Sequence, residues 1–273
     1  MPSLSAPITR ILFDGHVHLY PDYDCARALR NLFTNLGTDG LRLGLLTETS
    51  ACHFFQTACE NPSTLRRDGL AVQPGPGPNA LTVTADQAVL GILIAGRQIV
   101  TKERLEVLAI ATDGAIPDGR PVAETLDSVR ERGGVPVLSW SPGKWFSRRG
   151  RLIEHLIVSQ PPGSFLLGDT ALRPTCWPLP RLMKLARSRG FKVIGGSDPL
   201  PLPNEERYLG TYGISAAASF DPLTPAESVR RMLSYSNTIF TPFGKRSAPL
   251  PFLRRWIANQ FRGPTVVRPA SRV

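Results

Sequence analysis

Apolar runs of strand length alternate with amphipathic stretches along this chain, and that rhythm limits the fold more than any other feature. It predicts strands over 11–19, 41–47, 105–111, 135–140, 164–168 and 191–195, with a short last strand over 237–241. Helices are expected over 25–36, 121–132, 149–158, 179–189, 224–235 and 251–261. The 121–132 stretch turns Glu124, Asp127 and Arg130 outward and stops at Gly133-Gly134, while Thr224 and Glu227 stand in capping-box spacing. Between 81 and 101 the runs are shorter. There Ala95-Gly96, between two β-branched runs, predicts a tight turn and a local antiparallel excursion. Mostly apolar strands followed by helices call for a parallel sheet with helices packed on it, and about seven such strands suggest a barrel. The expected fold is therefore α/β, a distorted seven-stranded β/α (TIM-like) barrel with a short antiparallel β excursion around 80–104. An open doubly wound sheet is the alternative. One domain over 1–262 and a flexible basic tail over 263–273 complete the expectation.

With 273 residues, 42% of them hydrophobic, the chain can bury a sizeable core. No apolar stretch is long enough to span a bilayer, and Met1 to Arg10 lacks the apolar segment of a secretory signal. A cytoplasmic location away from membranes is expected. Cys25, Cys52, Cys59 and Cys176 form no CxxC pair, which fits a reducing compartment. Against 22 acidic residues stand 32 Lys and Arg, a formal charge of +10. That balance points to anionic partners, such as phosphorylated metabolites, nucleic acid or an acidic protein surface, and does not select among them. For nucleic acid there is neither a recognised module nor a stripe of interleaved aromatic and basic residues.

The first strand carries Asp14-x-His16-x-His18, two of the four histidines in the chain. Strand side chains alternate, so all three are expected on one side, where two imidazoles about 7 Å apart along the strand can converge on one ion. Acidic residues fall where other strands end: Glu48, Asp113, Asp169 and Asp198. In a β/α barrel these ends share one face. Carboxylates crowded beside the histidines would need a cation, and His with Asp and Glu suits zinc, manganese or iron. The candidate ligands are His16 and His18 with these four carboxylates. Each acid also has a turn or capping reading. His53 could assist or pack beside Phe54 and Phe55, and His155 is expected in helix packing. Trp140, Lys144, Arg148 and Arg207 are expected to bind substrate, the ring stacking on a planar group and the cations holding an anion, with Trp145, Arg149 and Arg151 close by.

These residues resemble the PHP (polymerase and histidinol phosphatase) domains over roughly 11–200, in family order. Asp14-Gly15-His16-Val17-His18 is similar to the opening motif, and Leu46-Thr47-Glu48-Thr49 falls where the family has Thr-Asp-His. Ala95 to Thr101 resembles the Pro-Gly-x-Glu strand, Val137 to Gly143 the Ala-His-Pro strand, and Gly196-Ser197-Asp198-Pro199-Leu200 the closing Gly-Ser-Asp-x-His. The resemblance implies a distorted barrel that binds metals and hydrolyses phosphoesters. Departures are Thr49, Gln98, Trp140 and Leu200 at ligand positions, and aliphatic residues for a histidine near Ala111. An amide cannot bridge two cations as a carboxylate does, and tryptophan or leucine cannot ligate. What survives as the expected metal ligand set is His16, His18, Glu48 and Asp198, with Asp169, which suffices for one ion rather than three and is also similar to mononuclear amidohydrolase barrels; Asp198 or Glu48 is the expected base that accepts a proton from water. The expected function is a metal-dependent hydrolase, a phosphoesterase first, using one divalent transition metal. The alternative is a catalytically degenerate barrel that binds a ligand, nucleic acid or protein without turnover.

Overall fold

The structure is a computed structural model and describes residues 7–261. The expected tail over 263–273 lies outside the described residues. In chain order the elements begin with β1 (Ile8–Val17), α1 (Cys25–Leu36), β2 (Leu41–Leu46) and α2 (Phe54–Glu60). Five strands follow: β3 (Leu70–Pro74), β4 (Ala80–Ala85), β5 (Ala88–Ile94), β6 (Gly96–Val100) and β7 (Glu106–Ile110). Then come α3 (Val122–Glu131), β8 (Val135–Ser139), α4 (Ser147–Ser159), β9 (Leu166–Thr170), α5 (Arg181–Ser188) and β10 (Val193–Gly196). The chain ends with β11 (Tyr212–Ser219), α6 (Pro225–Ser234), β12 (Phe240–Gly244) and α7 (Pro249–Gln260).

The strands form two mixed sheets, ordered β12-β11-β1-β2-β5-β4-β3 and β10-β9-β8-β7-β6. Among the described residues no continuous ladder joins the two sheets, but both edge strands of the five-stranded sheet, β10 and β6, are hydrogen-bonded to the ends of β1 and β2. At one seam Asp198 N–H donates to His16 O (3.0 Å). At the other, Glu48 N–H donates to Gly96 O (3.0 Å) and Gln98 N–H to Glu48 O (2.9 Å). Glycine opens each seam: a Cβ on Gly196 would run into the His16 backbone, and one on Gly96 into the carbonyl oxygen of Leu46. Gly96→Ala should therefore destabilise the fold by about 2 kcal/mol, as overpacking against backbone does. A denaturation midpoint equal to wild type would refute that reading of the seam.

Alternation along the strands sorts the core into layers. Phe13, Leu43, Ile110, Val137, Leu166 and Ile194 meet between the sheets. Val107, Leu138, Trp140, Leu167 and Val193 turn out against α3, α4 and α5. On the other flank Val17, Leu46, Leu93, Leu32 and Phe33 pack around α1.

Several expectations need correction. The strands are not uniformly parallel: β7 runs against both β6 and β8, and β11 against β1 and β12. No helix separates β6 from β7, and a short connection cannot make parallel neighbours; β8 follows β7 through α3 and still runs against it. Ala95-Gly96 is not a hairpin turn; it is where the chain leaves one sheet for the other, since β5 and β6 do not pair. The excursion is real but consists of β3, β4 and β5. Thr224 makes no side-chain cap; its hydroxyl donates to Asp221 Oδ2 (2.9 Å). Helix α7 turns its one fully buried side chain, Arg255, inward, and leaves Leu250, Leu253 and Ile257 exposed.

Candidate metal centre

The seam between β1 and β10 builds the site. Pairing of β1 with β2 keeps register through Asp14 and shifts before Val17. Asp14 is fully buried, and its carboxylate accepts from the amides of His16 (3.0 Å), Ser197 (2.8 Å) and Gly210 (2.9 Å). Burial pushes this carboxyl up to about 6, while the three amides pull the other way. Asp14 thus clips β1 to the loops after β10, where the alternation argument expected it beside the histidines.

His16 and His18 turn their rings together. The two Nε2 atoms are 3.0 Å apart, and Gln98 Oε1 lies 3.0 Å from His16 Nε2. Asp198 Oδ1 stands 3.6 Å from His16 Nε2 and 3.7 Å from His18 Nε2. Among the described residues, ligand atoms of His16, His18 and Asp198 lie within 4.8 Å of one another, and all three residues are buried. His16 Nε2 has His18 Nε2, Gln98 Oε1 and Asp198 Oδ1 all around it, more neighbours than one ring nitrogen can serve with a hydrogen bond. A cation at the common point would answer every lone pair. Two metal–nitrogen bonds of about 2.1 Å, at right angles, place their nitrogens about 3.0 Å apart, so the donor set fits a transition-metal ion.

Neighbouring groups hold the donors in place. Ser139 Oγ approaches His16 Nδ1 (3.5 Å), and Tyr20 stacks on His18 at 5.2 Å between centroids. Asp198 adopts a left-handed backbone (φ 48°), a conformation that Asp tolerates and that strained functional residues often keep. Burial raises its carboxyl pKa; Glu106 adds to the rise, while His16, Arg255 and Lys144 oppose it. Burial, and then His16, hold the His18 imidazole well below its ordinary 6.5. The unfolded chain therefore takes up a proton near pH 6.5 that the folded protein refuses, so stability is full above that value and is lost as pH falls below it. The raised Asp14 and Asp198 carboxyls act in the opposite sense over this range, so the His18 contribution is read by difference: in metal-free protein the Tm of wild type should fall relative to that of His18→Leu between about pH 7 and pH 5. An unchanged slope in that variant would assign the effect elsewhere.

Other expected residues stand apart from this group. Glu48 is buried, but its Oε1 accepts from Phe55 N–H (3.1 Å) at the start of α2. Asp169 is held by Arg173 through Nε (2.7 Å) and an Nη (2.6 Å), and by the Tyr212 hydroxyl (2.9 Å). Neither is in the convergent set, which among the described residues comprises His16, His18 and Asp198. Trp140 is buried in the outer layer against Trp177 (5.9 Å, edge to face), not toward the histidines. Ser139, one position earlier, takes the inward place. Lys144 pairs with Glu106 (2.5 Å), and both charges are felt at Asp198. Arg148 and Arg207 are exposed, the latter over the Tyr208 ring (4.9 Å). His53, His155 and Asp113 are exposed as well, so neither histidine packs in the core as expected. Leu200 serves through its backbone, its carbonyl accepting from Tyr23 Oη–H (2.6 Å). Sequence reasoning missed Ser139, Tyr20 and Glu106 and took Gln98 only as a lost ligand. Counting alternation forward from Val137 would have found Ser139.

Comparison with known proteins places the fold. No family model matches the chain, and no curated protein does. Among solved structures, PsfC from Pseudomonas syringae is similar at a TM-score of 0.56 with 16% identity, over 92% of this chain and 98% of that one. A two-domain protein from Bacteroides vulgatus, described as containing a predicted PHP-like metal-dependent phosphoesterase, is similar at a TM-score of 0.50 with 14% identity. That match covers 93% of this chain and 70% of the other. At such identities the likeness is one of fold, and the chain has a mixed α/β, PHP-like fold. No helix among the described residues is long and apolar enough to cross a membrane.

Proposed function

We propose that the chain is a metal-dependent phosphoesterase, a distorted barrel holding one divalent transition-metal ion, zinc, manganese or iron, on His16, His18 and Asp198. The observation that supports it is the convergence of two imidazole Nε2 atoms and a carboxylate oxygen, all buried, within 4.8 Å. A bound cation there would lower the pKa of water toward neutrality and polarise a phosphoryl oxygen. The chain's own groups divide the rest. Asp198 accepts the proton of the attacking water on the carboxylate oxygen turned away from the histidines. Ser139 and the stacked Tyr20 ring fix the imidazoles, so little reorganisation is needed. Gln98 offers a neutral oxygen beside His16, which keeps the charge of the set low enough for one ion. Lys144 at the mouth meets the phosphate, and the exposed Arg148 and Arg207 raise the local potential that draws an anionic substrate in. Glu48 acts through α2, and Asp169 through Arg173, as supports of the scaffold.

One observation favours the non-catalytic reading: Asp169 and Glu48, two of the five expected ligands, are engaged elsewhere. Elemental analysis of purified protein, with a screen of phosphomonoester, phosphodiester and amide substrates, separates the two. One tightly held ion per chain and chelator-sensitive phosphoester hydrolysis are expected. Protein that stays metal-free after incubation with zinc, manganese and iron would leave only a binding module.

A further inference from the structure

On the outer side of β8, between α4 and α5, lies a cavity of about 380 Å³. Three of the chain's four tryptophans, Trp140, Trp145 and Trp177, line it, with Phe146 at the rim. Trp140 and Trp145 are buried, Trp177 is half-buried, and Phe146 is 51% exposed, so the aromatic wall runs from the core to the surface. The rings are braced rather than loose. Trp140 meets Trp177 edge to face, Phe146 tilts on Trp177 at 6.2 Å, and Trp145 Nε1–H donates to Ser139 O (3.0 Å). A space of this size walled by large aromatics has the dimensions and lining of a small-molecule site. Had these side chains served packing alone, the gap between α4 and α5 would cost dispersion contacts on every ring that faces it.

Charge at the cavity narrows the ligand. Glu154 is answered by Arg181 through two hydrogen bonds (2.8 and 2.6 Å). Arg151 also lines the cavity, is exposed, and makes no hydrogen bond or ion pair among the described residues. The lining therefore carries one unanswered positive charge. Aromatic walls alone would suit a quaternary ammonium as well as a flat ring, but a free guanidinium excludes the cation. We propose that this cavity binds a flat aromatic ring carrying an anionic group, the ring among the tryptophans and the carboxylate or phosphate on Arg151. The site is separate from the metal centre, because Ser139 faces His16 while Trp140 faces α4 and α5. The same loop bears both, with Lys144 reaching Glu106 and Trp145 and Phe146 lining the cavity.

Titration calorimetry with 2-naphthoate and the neutral 2-naphthamide tests this on the full chain. Naphthoate should bind about tenfold more tightly than the amide, the contribution of one charge-assisted contact. Arg151→Gln, at an exposed and unpaired position, should abolish that difference while leaving amide binding unchanged. Trp177→Leu should weaken both ligands, and a circular dichroism spectrum like wild type shows that the variant folds. His16→Ala should leave naphthoate binding intact, so failure of the metal proposal would not carry this one with it. Equal affinity for the two ligands, a preference unaffected by Arg151→Gln, or no saturation up to about 10 mM would overturn it.

Discussion

Asp198→Asn should lower phosphoester turnover by about 10³-fold and reduce metal content from one ion per chain to near zero. The substitution keeps the shape of the side chain and removes only its charge and basicity. Asparagine tolerates the left-handed backbone at this position (φ 48°), so strain does not confound the result, as it would with alanine. Burial already raises the Asp198 pKa, which means the charged form is costly in the metal-free protein. The metal-free variant should therefore melt no lower than metal-free wild type. Three readouts then move independently: turnover falls, metal is lost, and apo stability holds. His16→Ala should give the same metal loss through a different donor. Full turnover in Asp198→Asn, measured with metal in excess, would end the proposal that this carboxylate holds the ion and takes the proton.

Arg173→Leu should destabilise the protein by about 3–5 kcal/mol, the largest stability effect expected of a single change here. Arg173 and Asp169 are both nearly inaccessible, with 6% and 4% of their side chains exposed, and they join through two parallel hydrogen bonds. Removing the guanidinium strands a buried carboxylate with the Tyr212 hydroxyl and the Thr170 amide as its remaining partners. The double variant Asp169→Leu, Arg173→Leu should recover much of that loss, since no buried charge is left over. Urea denaturation of the two single variants and the double variant measures the coupling. The same series bears on the metal centre: if Asp169 belongs only to the scaffold, folded Asp169→Asn keeps one ion per chain. Loss of the ion with the fold intact would return Asp169 to the ligand set.

Much of the scaffold was legible because it rests on periodicity. Helix α1 stands where the apolar spacing puts it, opened by Asp24, whose carboxylate accepts from Arg27 N–H. Strand β8 lies within the expected apolar run. Strand β11 was not expected, because Tyr212–Ser219 is largely alanine, serine and glycine and carries no strong β signal. It forms through pairing with β1 and β12, a tertiary cause that no local window contains. Helix α2 was missed for a similar reason: it is seven residues long, and the Glu48 carboxylate from another element accepts the Phe55 amide in its first turn.

The order of motifs alone pointed to His16, His18 and Asp198, because two histidines at alternate strand positions share a face and a Gly-Ser-Asp turn follows a strand end in both sequence and space. What the chain does with its other acids was decided only on folding. Asp14, Glu48 and Asp169 sit where donors could be expected, yet each is claimed by groups brought from elsewhere: the Gly210 amide, the α2 amides, and Arg173 with Tyr212. Strand periodicity fixes the face on which a side chain leaves the backbone. Its final partner is whichever charge or donor the fold brings within about 3 Å of it, and that depends on long-range pairing absent from any local pattern.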